Sequence, residues 1–168
     1  MSITVADIYS YINEMAPFDR QESWDNSGFL VGDGAKEVKK IALALDVTND
    51  TLRQAEEFGA DLMVSHHPVI FDPLRNVHSN TPVYYAIEHG ISIISAHTCW
   101  DSAEGGVNDV LASLLRLEDV VPVVPDSSGI CMLRMGSLKN AVPAAEFAEI
   151  AAETLDTVVR PTLTPPWG

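Results

Sequence analysis

Basic residues are scarce: ten Lys and Arg stand against 24 Asp and Glu in 168 residues, a formal charge of −14 with histidines neutral. A field of that sign repels a phosphate backbone, which argues against nucleic acid as a partner. A small phosphorylated substrate is still admissible, because a bound cation would reverse the sign locally. Cysteine is scarcer still. Cys99 and Cys131 form neither a CxxC nor a disulfide framework, which suits a reducing cytosol. No apolar run approaches the ~20 residues that span a bilayer, and the first ten residues lack the basic start and apolar core of a signal peptide. The expectation is a soluble cytoplasmic protein with no membrane partner. Several catalytic signatures are also missing. Ser65 beside His66 lacks the glycines of a nucleophile elbow, and there is no P-loop or GxGxxG turn.

Hydrophobic residues make up 46% of the chain and charged ones 20%, enough for a packed core in one domain or one domain and part of another. Thr4 and Asp7 have the spacing of a helix cap, followed by Ile8, Tyr11, Ile12 and Met15 on one face. Residues 41–45 read as a buried strand. Thr48 opens a helix that Gly59 closes, and residues 62–64 form the next strand. Thr81-Pro82 opens a second helix ending near Gly90, and residues 91–95 are a third strand. Strand, helix, strand, helix, strand predicts an α/β fold: a largely parallel sheet with flanking helices. A helix follows Gly105-Gly106. Pro122, Pro125 and a Ser-Ser-Gly turn place a boundary near residue 125. The expected division is a metal-binding α/β domain over 1–125 and the start of a second α/β domain over 126–168. The latter holds a strand at 131–138, a helix at 144–155 and a short strand at 157–160. The tail from Pro161 to Gly168 suits neither a helix nor a central strand.

In a parallel sheet with right-handed crossovers the carboxyl ends of the strands share one edge. His66 and His67 follow one strand, His97 and Asp101 another, and Asp46 a third. Imidazole and carboxylate suit zinc, iron, manganese, cobalt or nickel. Within a strand His66 and His67 would point to opposite faces. Beyond its end they can address two ions, or one ion and a neighbouring group. Asp101 reads as a third ligand or a bridge between ions. Asp46 reads equally as a ligand neighbour or a turn residue. Trp24 and Trp100 suit a cleft or the core, and Cys99 reads as a buried thiol. His78 and His89 read as surface residues.

Residues 24–28 (Trp-Asp-Asn-Ser-Gly), 44–48 (Ala-Leu-Asp-Val-Thr), 65–68 (Ser-His-His-Pro) with Ile70-Phe71, and His97-Thr98 through Asp101 to 105–109 (Gly-Gly-Val-Asn-Asp) occur in that order. Together they resemble the Nif-three-like dinuclear-metal-centre family of GTP cyclohydrolase I type 2 homologues. The resemblance implies a toroidal homohexamer of two-domain α/β chains with metal sites facing an internal cavity. It implies His66, His67 and Asp101 as metal ligands and His97 as a site histidine, acid–base or second to the ligands. It implies two divalent ions per complete site, and metal-activated water attacking a small nucleotide-like or heterocyclic substrate. Cys99 stands where the family usually has asparagine. The family also supplies a further His and Glu from near its C-terminus, so the expectation is that this chain lacks part of the site. The alternative is therefore a non-catalytic metal-binding or assembly protein with an incomplete site.

Overall fold

Thr4 opens the first element as its spacing requires. Its hydroxyl accepts the Asp7 N–H at 3.3 Å, and the Asp7 carboxylate accepts the Thr4 N–H at 2.8 Å, a reciprocal capping box. The computed structural model describes residues 2–123 and 131–160, and helix α1 occupies Val5–Met15. Its buried stripe is Val5, Ile12 and Ala16, with Ile8 and Tyr9 packed alongside. Tyr11 and Met15 point outward, so the face expected from the apolar period is turned by part of a helical step. Tyr9 stacks on Phe18 at 4.7 Å and draws the helix round to that side.

The main sheet has the order β1-β4-β3-β2, with β1 Gly28–Val31, β2 Ile41–Ala44, β3 Leu62–Ser65 and β4 Ser92–Ser95. β2, β3 and β4 are parallel, and β1 joins β4 antiparallel. The crossovers are α2 (Asn49–Phe58) and α3 (Pro82–Glu88). Both begin at a threonine cap, and Gly59 ends α2 in the left-handed conformation (φ 76°). One face of the sheet packs Leu62 and Ile94 against α1. The other packs Met63 and Ile93 against Leu52 and Ala55 of α2 and Val83 and Ala86 of α3. Full burial of Leu52, Leu62, Met63, Ile93 and Ile94 contributes about 1.5–3 kcal/mol each relative to exposure. This is the α/β fold expected, a parallel sheet between helices.

β2 corrects one expectation. It is an edge strand, and Leu43 is 80% exposed. Its even positions, Ala42 and Ala44, face the α2–α3 core. Its odd positions lie on the α1 side, which α1 covers only over the central strands. Ile41, Leu43 and Leu45 therefore line an open apolar groove with Ile8 and Tyr11 that runs to His66.

Two short helices follow β4, α4 (Thr98–Ser102) and α5 (Val107–Leu114). Next, β5 (Leu117–Pro122) pairs antiparallel with β6 (Arg134–Leu138), and α6 spans Ala144–Thr154. Pro122, read as a boundary marker, is thus the last residue of a strand. The division at residue 125 and the tail from Pro161 lie outside the described residues. The short strand expected at 157–160 is not formed: Val158 is 81% exposed and that stretch has no strand partner among the described residues. No helix among the described residues is long and apolar enough to cross a membrane.

Candidate metal centre

Parallel register sets the position of the site. Ala44 pairs with Ser65 and Ser65 with Ser95, so β2, β3 and β4 end level with one another. The ladder continues one step further: the His66 N–H donates to Ala44 O, and the Ala96 N–H to Ser65 O. Asp46, His66, His67 and His97 consequently leave the sheet at one edge. One ring nitrogen from each of His66, His67 and His97 lies within 4.8 Å of the others. The ring centroids are 5.0, 5.0 and 5.4 Å apart. Past the end of the strand the alternation of β3 has lapsed, and the two adjacent histidines converge.

Each of the three has its Nδ1 engaged. His66 Nδ1 lies 3.1 Å from Ala96 O, and a carbonyl only accepts, so that nitrogen carries the hydrogen. His67 Nδ1 donates to Asp46 Oδ1 at 2.6 Å, and His97 Nδ1 to Asp25 Oδ1 at 3.1 Å. The nitrogen left to each ring is Nε2, with a free lone pair. Asp101 stands beside the cluster, its Oδ1 3.7 Å from His66 Nε2. His97 is the N-cap of α4, and the Asp101 N–H donates to His97 O. The His-x₃-Asp spacing is thus one helical turn. The turn is pinned from behind, since a Cβ on Gly106 would meet Trp100 O at 2.0 Å. Asn108 Nδ2 also donates to Asp101 O at 3.0 Å.

Asp25 is the residue the sequence did not single out. Its side chain is fully buried. Burial opposes its ionisation, but hydrogen bonds from Thr98, His97 and Ser27 outweigh that and hold its carboxyl below the ordinary value. It lies 72 residues from His97 in sequence. Asp46 stands beside His67: its carboxylate accepts from His67 Nδ1, while its main-chain carbonyl accepts from Thr51 Oγ1. Trp24 lies outside the core, 57% exposed, 5.9 Å from His97 and 6.0 Å from Phe71 between ring centroids. Trp100 packs against the core instead. Cys99 is buried, and burial pushes its thiol up, away from the thiolate a metal would need. His89 lies away from the cluster, stacked on Tyr85, and His78 is exposed.

Three imidazole nitrogens this close form a donor set that suits a divalent ion of the borderline kind, which binds nitrogen at about 2.0–2.1 Å, with the Asp101 carboxylate beside His66.

The Duf34/NIF3 (NGG1p interacting factor 3) family model matches residues 3–164. A GTP cyclohydrolase 1 type 2 homolog of Methanocaldococcus jannaschii is 37% identical over 150 residues, 86% of this chain and 58% of that protein. Its counterpart in Clostridium perfringens is 40% identical over 113 residues, 65% of this chain and 43% of that one. Among solved structures, a hypothetical protein of Staphylococcus aureus superposes with a TM-score of 0.85 at 25% identity, over 93% of this chain and 65% of that one. Reduced HcgD from Methanocaldococcus jannaschii gives 0.76 at 34% identity, over 91% and 60%. The matches span 29% to 58% of the length of the first four curated relatives.

Proposed function

The chain belongs to the Duf34/NIF3 family, and from that premise we propose that it is a metal-binding protein acting as a metal-dependent hydrolase. His66, His67 and Asp101 are the ligands, and His97 is the acid–base group beside them. The observation that carries this reading is the shared orientation of the three imidazoles, each with Nδ1 occupied and Nε2 free. Metal-binding histidines are commonly fixed in this way by an acceptor on the other nitrogen. Zinc, iron, manganese, cobalt and nickel all suit such donors. When bound, a divalent ion there supplies Lewis acidity and lowers the pKa of a coordinated water towards neutrality.

The remaining work falls to side chains. His97, with Nε2 unprotonated, accepts the proton of the attacking water and returns it to the leaving group. Trp24 and Phe71 offer exposed ring faces at the mouth, which supports a small nucleotide-like or heterocyclic substrate. The names of the curated relatives, GTP cyclohydrolase 1 type 2 homologs, make GTP the first compound to assay. A homo-oligomer, hexameric by the family resemblance, is part of the same proposal. The uncovered apolar side of β2 supports it, and sedimentation tests it.

A second reading rests on the donor count. Three clustered imidazoles with one carboxylate beside them, among the described residues, fall short of paired ions, which would each want three or more donors. On this reading the chain holds metal without turnover. Assay of metal-loaded protein with GTP separates the two. Turnover above that of the free ion, lost in His97→Ala, supports the hydrolase; turnover equal to the free ion supports the second reading.

A further inference from the structure

We infer that Asp25 is the positioning residue of the centre: it fixes His97 in the tautomer whose Nε2 is bare and directed at His66 and His67. The inference rests on the metal-binding reading of the cluster and adds a residue to it. Five donors converge on the buried Asp25 carboxylate. Oδ1 accepts the Asn26 N–H at 2.7 Å and His97 Nδ1–H at 3.1 Å. Oδ2 accepts Ser27 Oγ–H at 2.9 Å, the Thr98 N–H at 3.0 Å and Thr98 Oγ–H. A carboxylate so surrounded has only acceptors to offer, so the hydrogen shared with His97 sits on Nδ1. The backbone of His97 is tied to the same loop, its N–H donating to Ser27 Oγ at 2.9 Å. Ring and main chain are therefore held together, and neither can turn without breaking a bond to the 25–27 loop.

The other two histidines set the comparison. His66 is fixed by a main-chain carbonyl, and His67 by Asp46, which is 57% exposed and shares its partner with water. Only His97 depends on a buried charge, whose loss leaves unpaired donors that water cannot reach. An asparagine at position 25 would keep the size but offer one acceptor and one donor group where two acceptors stood. It would then oppose the donor hydrogens of Asn26 and His97, or that of the Thr98 N–H.

Long-range ¹H–¹⁵N correlation on the metal-free chain reads the tautomer directly. The expected result is Nδ1–H with bare Nε2 at His97, in the unmodified protein and in Thr98→Val, which loosens the loop but keeps the Asp25–His97 bond. Asp25→Asn should lose that fixed pattern. An Nε2–H tautomer in the unmodified protein would overturn the inference, as would a folded Asp25→Asn that keeps the tautomer. Should Asp25→Asn fail to fold, the spectrum of the unmodified protein still decides. If the unmodified chain binds neither Co²⁺ nor Zn²⁺, the metal reading fails while the tautomer assignment is judged on its own.

Discussion

His66 Nε2 and Asp101 Oδ1 lie 3.7 Å apart, although one follows a strand and the other sits in a helix 35 positions on. That is too long for a hydrogen bond and close to the separation of two ligands sharing one ion at about 2.1 Å each. Asp101 has no other side-chain hydrogen bond among the described residues.

Asp101→Ala should therefore lower metal affinity by an order of magnitude or more and leave the fold intact. Inductively coupled plasma analysis with a thermal melt checks both halves. Unchanged metal content would remove Asp101 from the ligand set.

Gly106→Ala should destabilise the chain by about 1–3 kcal/mol, the usual cost of overpacking. The added methyl would press on Trp100 O from 2.0 Å, and that atom is backbone. Because α4 carries Asp101, metal affinity should fall with stability. A variant as stable as the parent in urea would contradict the packing described.

The ion pair of Asp109 with Arg134 gives a pH dependence with a defined sign. Hydrogen bonding from Arg134 holds the Asp109 carboxyl below its ordinary value, against a smaller opposing effect of burial. A carboxyl depressed in the folded state adds stability above its unfolded pKa, near 3.9, and loses it as pH falls through the folded value. Stability should thus decline more steeply below about pH 4 in the parent than in Asp109→Asn. Parallel acid limbs in urea titrations would refute the assignment.

Leu43→Lys tests the exposed edge. With 80% of the side chain in solvent, the substitution should cost less than about 0.5 kcal/mol and reduce self-association. A large loss of stability would mean that Leu43 is covered in the protein as purified.

What the sequence made legible was local. Threonine caps, Gly59 and the apolar runs of β3 and β4 each announce themselves within a few residues, and together they imply the parallel sheet and the edge where His66, His67 and His97 emerge. β2 escaped because an apolar run does not say what will cover it; Ile41 and Leu43 read the same in a buried strand and at an open edge. β5 escaped because Arg116 and Asp119 take positive φ at and beside it, breaking the regular strand pattern. Residues 157–160 misled in the opposite sense, being β-branched but without a partner. Asp25 was hidden for a different reason. Its role depends on a contact spanning 72 residues, and nothing within the Trp24–Gly28 turn distinguishes a carboxylate that caps a loop from one that holds a histidine.

The central claim is that His66, His67 and Asp101 hold a divalent ion, with His97 beside it. Titration of the metal-free 168-residue chain with Co²⁺, followed by visible absorption, tests it most directly. One equivalent bound per chain, with ligand-field bands lost in His66→Ala and His67→Ala, is the predicted result. No saturable binding, or the unmodified chain's spectrum retained in both variants, would contradict it.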